Sequence, residues 1–213
     1  MRTLFTVAAL ILFLGVGATP SAAAIIGISE AAFGPGSTLV TFSEVPEGTN
    51  GDGLTIGNST FDWNGTGTIV VISSGPGNTN NITQPALLST SNSGVLTISL
   101  SNYVNMLGYG YAILATVPVA NATTIALFDG ATPLGSLSFN GVPDPLFAGG
   151  FAGVFSDVAF NRVQVTFSTQ GSAFDLDELR TASVTAAPEP ATILLLGTGL
   201  LGAGVRRWRQ VRT

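Results

Sequence analysis

Short runs of apolar and β-branched residues recur along the middle of the chain, separated by clusters of Gly, Pro, Asn and Ser. In the segment 162–168 (RVQVTFS), Val163, Val165 and Phe167 alternate with polar residues, which is typical of a half-buried antiparallel strand. The recurring pattern predicts about ten strands. They are expected at residues 39–43, 59–63, 68–73, 95–100, 103–115, 123–129, 134–139, 151–155, 162–168 and 173–179.

Strands at this spacing predict an all-β fold, a single two-sheet sandwich of the jelly-roll or Greek-key kind. The segment 25–187 is long enough for one domain with a sizeable core, because chains of about 150 residues bury roughly 70% of their unfolded surface. No repeat of fixed period divides it. We therefore expect one β-sandwich domain over 25–187, flanked by an N-terminal signal helix and a C-terminal transmembrane helix.

Composition narrows the chemistry that this domain can perform. Apolar residues make up 46% of the chain and charged residues only 9%, and there is no cysteine, histidine or lysine. These absences exclude disulfides, thiolate and histidine zinc sites, and Cys, Ser–His or Schiff-base nucleophile systems. Between residues 25 and 187, two arginines face eleven acidic residues, a net charge of −9. This balance argues against nucleic-acid binding, since little is present to neutralise phosphates.

The N-terminus is apolar in a different way from the predicted strands. Arg2 precedes the run 4–16 (LFTVAALILFLGV), and a Thr-Pro-Ser break then leads to three alanines at 22–24. A positive residue, a short apolar core and an A-x-A site, in that order, predict a secretory signal peptide over residues 1–24, cleaved after Ala24. The alternative, a buried core helix, would need an amphipathic pattern that this run lacks.

The C-terminus carries a second three-part pattern, in which Pro188, Glu189 and Pro190 lead into the uncharged, mostly apolar span 191–205. As a helix this span would be about 22 Å long, shorter than the roughly 30 Å hydrocarbon core, so it predicts a marginal, temporary membrane anchor. By the positive-inside rule the arginines that follow stay in the cytoplasm, and everything before Glu189 lies outside. These arginines are Arg206, Arg207 and Arg209.

This order of Pro-Glu-Pro, Leu/Gly-rich span and arginine cluster resembles the PEP-CTERM sorting signal of bacterial exosortase substrates, over residues 188–213. The resemblance implies that an exosortase-like membrane protease recognises the segment, after which the mature protein is released or transferred to the cell surface. A plain tail anchor, the alternative, would explain the span and the arginines but not the Pro-Glu-Pro triplet.

Two internal segments, 40–63 and 153–180, resemble the opening and the final strands of PEP-CTERM ectodomains. Such ectodomains are similar to the jelly-roll sandwiches of carbohydrate-binding modules. The resemblance implies a structural or adhesive protein sorted to the envelope surface or the matrix. The alternative function is a non-catalytic carbohydrate-binding module of the extracellular polysaccharide matrix, because a shared fold does not by itself fix a function.

Three carboxylates lie close together near the end of the last predicted strand: Asp175, Asp177 and Glu178. A hard cation such as Ca²⁺ would relieve their repulsion, and the resemblance to carbohydrate-binding jelly rolls implies a structural calcium ion near this edge. The alternative is a solvated strand end partly paired with Arg180. A bulge would be needed for this strand to bury all of its apolar residues. Paired acids can also form a glycosidase site, but with twelve acids some pair is inevitable, so no enzyme is predicted.

Three tyrosines, Tyr103, Tyr109 and Tyr111, fall on odd positions of one β-rich run, so an unbroken strand places them on the same face. The opposite face carries Gly108 and Gly110, whose small size allows a neighbouring layer to approach closely. Exposed tyrosine rings can stack on the C–H groups of a sugar, which makes the three tyrosines candidates for exopolysaccharide binding. The alternative is a buried core position with the hydroxyls at its rim.

Overall fold

The computed structural model describes residues 23–76 and 80–183, which fold as an all-β sandwich with one turn of 3₁₀ helix at Glu30–Ala32. The predicted fold class is confirmed at this level. The eleven strands are β1 Ile25–Gly27, β2 Thr38–Val40, β3 Leu54–Ile56, β4 Ser59–Trp63, β5 Ile69–Ile72, β6 Ala86–Ser89, β7 Leu96–Leu114, β8 Val119–Asp129, β9 Thr132–Pro143, β10 Phe147–Phe167 and β11 Phe174–Ala182.

Two long antiparallel strands, β7 and β10, pair with each other through both of their halves and belong to both layers. The first layer holds β3, β4, the first half of β7, the second half of β10, β8 and β9. The second layer holds β5, β6, β11, the second half of β7 and the first half of β10, with β1 and β2 at its margins. Through the shared strands, the two layers form one open hydrogen-bonded network.

The continuity of β7 and β10 differs from the sequence prediction, which placed two shorter strands in each segment. The pairing of β10 with β7 shifts register between Phe155 and Phe160 and again between Phe160 and Arg162. Bulges of this kind bend a strand while its ladder continues on either side. Each long strand therefore passes from one layer to the other without a loop. The structure also adds three strands of three or four residues, β1, β3 and β6, which are too short to show a period.

The main core lies between the two layers and follows the predicted alternation. Val163, Val165 and Phe167 of β10 are buried, and the polar residues between them are more exposed. Aromatic rings fill the space between layers, as where Phe167 stacks on Phe174 with 3.9 Å between ring centroids. The half-buried strand predicted for this segment is confirmed.

In the part of the chain that the structure describes, no helix has the length and apolar character needed to cross a membrane. The predicted signal sequence up to residue 22 and the predicted span 191–205 lie outside the described residues.

Candidate functional site

Two of the three candidate tyrosines are core residues. Tyr109 and Tyr111 are 0% and 1% exposed, and their rings meet edge to face with centroids 6.3 Å apart. The Tyr111 hydroxyl donates to the Asn140 carbonyl oxygen at 2.9 Å. The Tyr109 and Thr123 hydroxyl oxygens lie 2.7 Å apart, and because Thr123 donates to the Thr166 carbonyl, Tyr109 is the donor to Thr123.

This burial has an electrostatic consequence and a functional one. Desolvation raises the pKa of Tyr111 to about 12, and it raises the pKa of Tyr109 further still. Both hydroxyls therefore stay protonated at physiological pH. Neither ring turns a face to solvent, so the arrangement is the core alternative and not a surface platform of three stacked tyrosines.

Tyr103 lies apart from the buried pair and is 52% exposed. Its hydroxyl donates to Asp129 Oδ1 at 2.9 Å, which fixes the orientation of the ring and, with the Asp129 charge, raises the pKa of Tyr103. The neighbouring Phe128 ring is covered by the Arg162 guanidinium, 4.5 Å from the ring centroid. Of the three predicted tyrosines, Tyr103 alone offers its ring at the surface.

The candidate metal ligands Asp175 and Asp177 are buried, at 1% and 0% exposure, on the outer side of the second layer. Their neighbours in the strand, Phe174 and Leu176, point into the main core. Asp177 lies opposite Gly110 of β7, and the loop at residues 80–85 packs over this face. A Cβ at Gly110 would clash with the Asn81 carbonyl oxygen. The predicted close approach to the small residues of β7 thus occurs. The 80–85 loop covers Asp177, and Gly75 packs close to the Asp175 carboxylate.

Burial controls the protonation of the two aspartates. It raises the pKa of Asp175 and of Asp177 to about 7, and the Asp177 charge adds to the effect on Asp175. The Thr83 N–H donates to Asp177 Oδ2 at 2.8 Å, which opposes part of the rise. Within the described residues, the Oδ1 atoms of Asp175 and Asp177 have no hydrogen-bond partner. A buried carboxyl group without a cation beside it favours its neutral form.

Glu178, the third candidate ligand, also lies near Thr83, whose hydroxyl donates to Glu178 Oε1 at 3.4 Å. The pairing of β11 with β7 shifts between Asp177 and Arg180, and Glu178 has a left-handed backbone with φ of 49°. Its carboxylate accepts from Arg180 Nη2 at 2.8 Å, and the same nitrogen contacts Glu30 at 2.8 Å. This shift is the bulge whose need the sequence indicated, although its place could not be predicted.

The described ranges 23–76 and 80–183 contain no group of three His, Cys, Asp or Glu residues placed to hold a metal ion. Asp175, Asp177 and Glu178 thus do not form a group of this kind. Asp175 and Asp177 are closed off from solvent, and Glu178 is held in an ion pair with Arg180.

Two adjoining clefts, of about 380 Å³ and 210 Å³, lie at the end of β11 and share Gly36, Ala182 and Ser183. The smaller cleft is lined largely by amide and hydroxyl groups, and its polar residues include Thr38, Asn58, Asn102 and Thr181. The sequence gives no signal for this cleft, because its walls come from separate segments that only the fold brings together.

Beyond the last described residue, Ser183, comparison with protein families identifies the next segment. Residues 186–210 match the PEP-CTERM protein-sorting motif. The chain carries a PEP-CTERM sorting motif. The match includes the predicted sorting residues Pro188, Glu189, Pro190, Arg206, Arg207 and Arg209, all of which lie outside the described residues. The resemblance seen in the sequence is thereby confirmed.

Solved structures similar to the sandwich include a mutant of the family 29 carbohydrate-binding module CBM29-2, at 13% identity and a TM-score of 0.38, covering 72% of this chain and 98% of that one. A second family 29 module has 13% identity and a TM-score of 0.35, with coverages of 73% and 97%. The enzymatically active domain of tailspike protein 4 from bacteriophage CBA120 has 15% identity and a TM-score of 0.37, with coverages of 64% and 21%. No curated protein matches the chain.

Proposed function

We propose that the chain is an exported bacterial protein, sorted to the envelope surface or the extracellular matrix, in which it acts as a structural or adhesive component. The position of the sorting motif carries this proposal. The motif starts at residue 186, four residues after β11 ends at Ala182, so only a short segment separates the folded domain from the sorting segment. The predicted N-terminal signal peptide directs export, and the span 191–205 holds the chain in the inner membrane until an exosortase-like protease processes the tail.

The sandwich, in this proposal a jelly roll, performs no catalysis. Its acid pair, Asp175 and Asp177, is buried and offers no carboxylate to an outside substrate. The chain also has no histidine, lysine or cysteine to serve as a base or nucleophile. What the domain contributes is a surface with few charged residues, most of which are acidic.

Replacing Glu189 with alanine tests the sorting step. We expect this variant to be exported and folded but not processed, so that it accumulates in the inner membrane with its tail attached. Cell fractionation measures where the variant accumulates, and the mass of the C-terminal peptide shows whether the tail is still attached. Asp62→Ala, which removes an exposed carboxylate from the sandwich, is the matched control and should be processed normally. Processing of Glu189→Ala at the wild-type level would contradict the assigned role of Glu189.

Polysaccharide binding is the second candidate function, and the exposed Tyr103 ring is the observation that favours it. Its hydrogen bond to Asp129 holds the ring at a fixed angle before any ligand arrives, which lowers the entropic cost of stacking. Asp129 also places an acceptor beside the ring, as recognition of a sugar hydroxyl requires.

Removing the Tyr103 ring should weaken polysaccharide binding without unfolding the domain. Stacking of this kind contributes about 1 kcal/mol, so Tyr103→Ala should raise Kd roughly fivefold, whereas Tyr103→Phe keeps the ring and most of the affinity. Affinity electrophoresis through gels containing exopolysaccharide from the producing cells measures the change. Asn102→Ala, in the adjoining cleft, is the control. Loss of binding in Asn102→Ala alone would move the site to the cleft, and equal mobility of all variants would rule out both positions.

A further inference from the structure

The pairing of the first strand with its neighbour continues one residue before Ile25. β1 pairs with β10, with Ile25 opposite Ser156. One step further out, the Asp157 N–H donates to the Ala24 carbonyl oxygen at 3.3 Å. In return, the Ala24 N–H donates to the Asp157 carboxylate Oδ1 at 2.8 Å. Both backbone groups of Ala24 are therefore used by the fold, although the sequence alone placed Ala24 within the signal peptide.

Whether a residue of β1 turns its backbone N–H and C=O groups toward β10 decides what a new N-terminus at that residue could contact. In an antiparallel pair, residues whose N–H and C=O turn toward the partner alternate with residues whose groups turn away. Ala24 turns toward Asp157, and Ile28 donates to the Gly153 carbonyl at 2.8 Å, so the even positions face β10. Ile25 turns its backbone groups away. A chain starting at Ile25 would lose the Ala24–Asp157 pair and point its α-ammonium group away from β10.

The sequence allows two cleavage positions. A signal peptidase needs small residues at the first and third positions before the cut. Cleavage after Ala24 uses Ala24 and Ala22, and cleavage after Ala23 uses Ala23 and Ser21, so both satisfy the rule. Only cleavage after Ala23 keeps Ala24 in the mature chain.

Cleavage after Ala23 would also create a positive charge beside a carboxylate oxygen that accepts a hydrogen bond there. The peptide nitrogen of Ala24 becomes an α-ammonium group, and it already lies 2.8 Å from a carboxylate oxygen. A hydrogen bond between two ionised groups is stronger than one from a neutral N–H. The two arginines of the described residues are engaged elsewhere, Arg162 on Phe128 and Arg180 with two glutamates.

We propose that the signal peptide is removed after Ala23 and that the Asp157 carboxylate binds the α-ammonium group of Ala24, the first residue of the mature protein. This inference rests on the proposed export and moves the cut one residue upstream of the position that the sequence pattern favours. Asp157 is thus the binding group for the new N-terminus and closes the β1 ladder at its outer end.

N-terminal sequencing of the mature protein, produced from the full chain in an exporting host, tests the cut. A chain starting at Ala24 is expected. A chain starting at Ile25, or at any other residue created by cleavage, overturns the inference and leaves export standing. A chain that keeps its apolar N-terminal segment overturns the inference and the proposed export together.

The role of Asp157 is tested on the same mature protein by following the α-amino group through its titration, from the pH dependence of its acylation rate. A free α-amino group titrates at roughly 7.7–8.0. We expect a pKa about half a unit or more above that range in the wild type and in the exposed-carboxylate control Asp62→Asn, and a value within it in Asp157→Asn. The same pKa in all three proteins would overturn the assignment to Asp157.

Discussion

Replacing Tyr109 with alanine is expected to reduce the free energy of unfolding by about 3–5 kcal/mol, because the ring is wholly buried and the structure cannot close the cavity that remains. The loss would be a large share of the roughly 5–15 kcal/mol that stabilises a typical domain. It would also remove the donor to Thr123 and one side of the contact with Tyr111. Urea denaturation of the purified sandwich domain measures the change.

Two controls separate the contributions of the Tyr109 ring and hydroxyl. Tyr109→Phe keeps the ring and removes only the hydrogen bond to Thr123, so about 1 kcal/mol should be lost. Tyr103→Ala removes an exposed ring and should change stability by no more than about 0.5 kcal/mol. Equal denaturation midpoints for Tyr109→Ala and Tyr103→Ala would contradict the core position of Tyr109.

The tyrosines show how far the sequence can predict this fold. The period of two correctly places Tyr109 and Tyr111 on one face of a strand, because local backbone geometry sets that alternation. It does not say whether the face points inward or outward, since that depends on which layer packs against it. Thr123 and Asn140, the partners of the two hydroxyls, come from segments that only the tertiary structure brings near.

The acidic strand β11 shows a feature that the sequence could not predict, the burial of its two aspartates. The sequence predicted a calcium site here, with a solvated strand end partly paired with Arg180 as the alternative, because charged residues are rarely buried without a partner. The structure buries both of them, Asp177 under the 80–85 loop, whose approach depends on Gly110 in another strand. The sequence did carry the small residues that permit this contact. What it lacked was the long-range pairing that sets Asp177 opposite Gly110.

The buried aspartates should make the sandwich more stable in mild acid than at neutral pH. Burial raises their pKa from the ordinary value of 3.8 to about 7 in the folded protein, so between about pH 4 and pH 7 the folded state keeps protons that the unfolded state releases. Stability then falls as the pH rises, by up to about 1.4 kcal/mol per pH unit for each retained proton. Above about pH 7 this contribution is lost and the slope disappears.

Asp177→Asn removes one of these titrations while keeping an oxygen that can accept the Thr83 N–H. The free energy of unfolding of this variant should equal that of the wild type near pH 4. At pH 8 it should exceed the wild-type value by up to about 4 kcal/mol, because the folded variant no longer buries the Asp177 charge. Asp62→Asn, which replaces an exposed carboxylate, should keep the wild-type slope. Urea denaturation midpoints between pH 4 and pH 8 give the stability profiles of the wild type, Asp177→Asn and Asp62→Asn. A wild-type stability that rises with pH across this window would show that Asp175 and Asp177 are ionised in the folded protein, and that a cation or solvent reaches them.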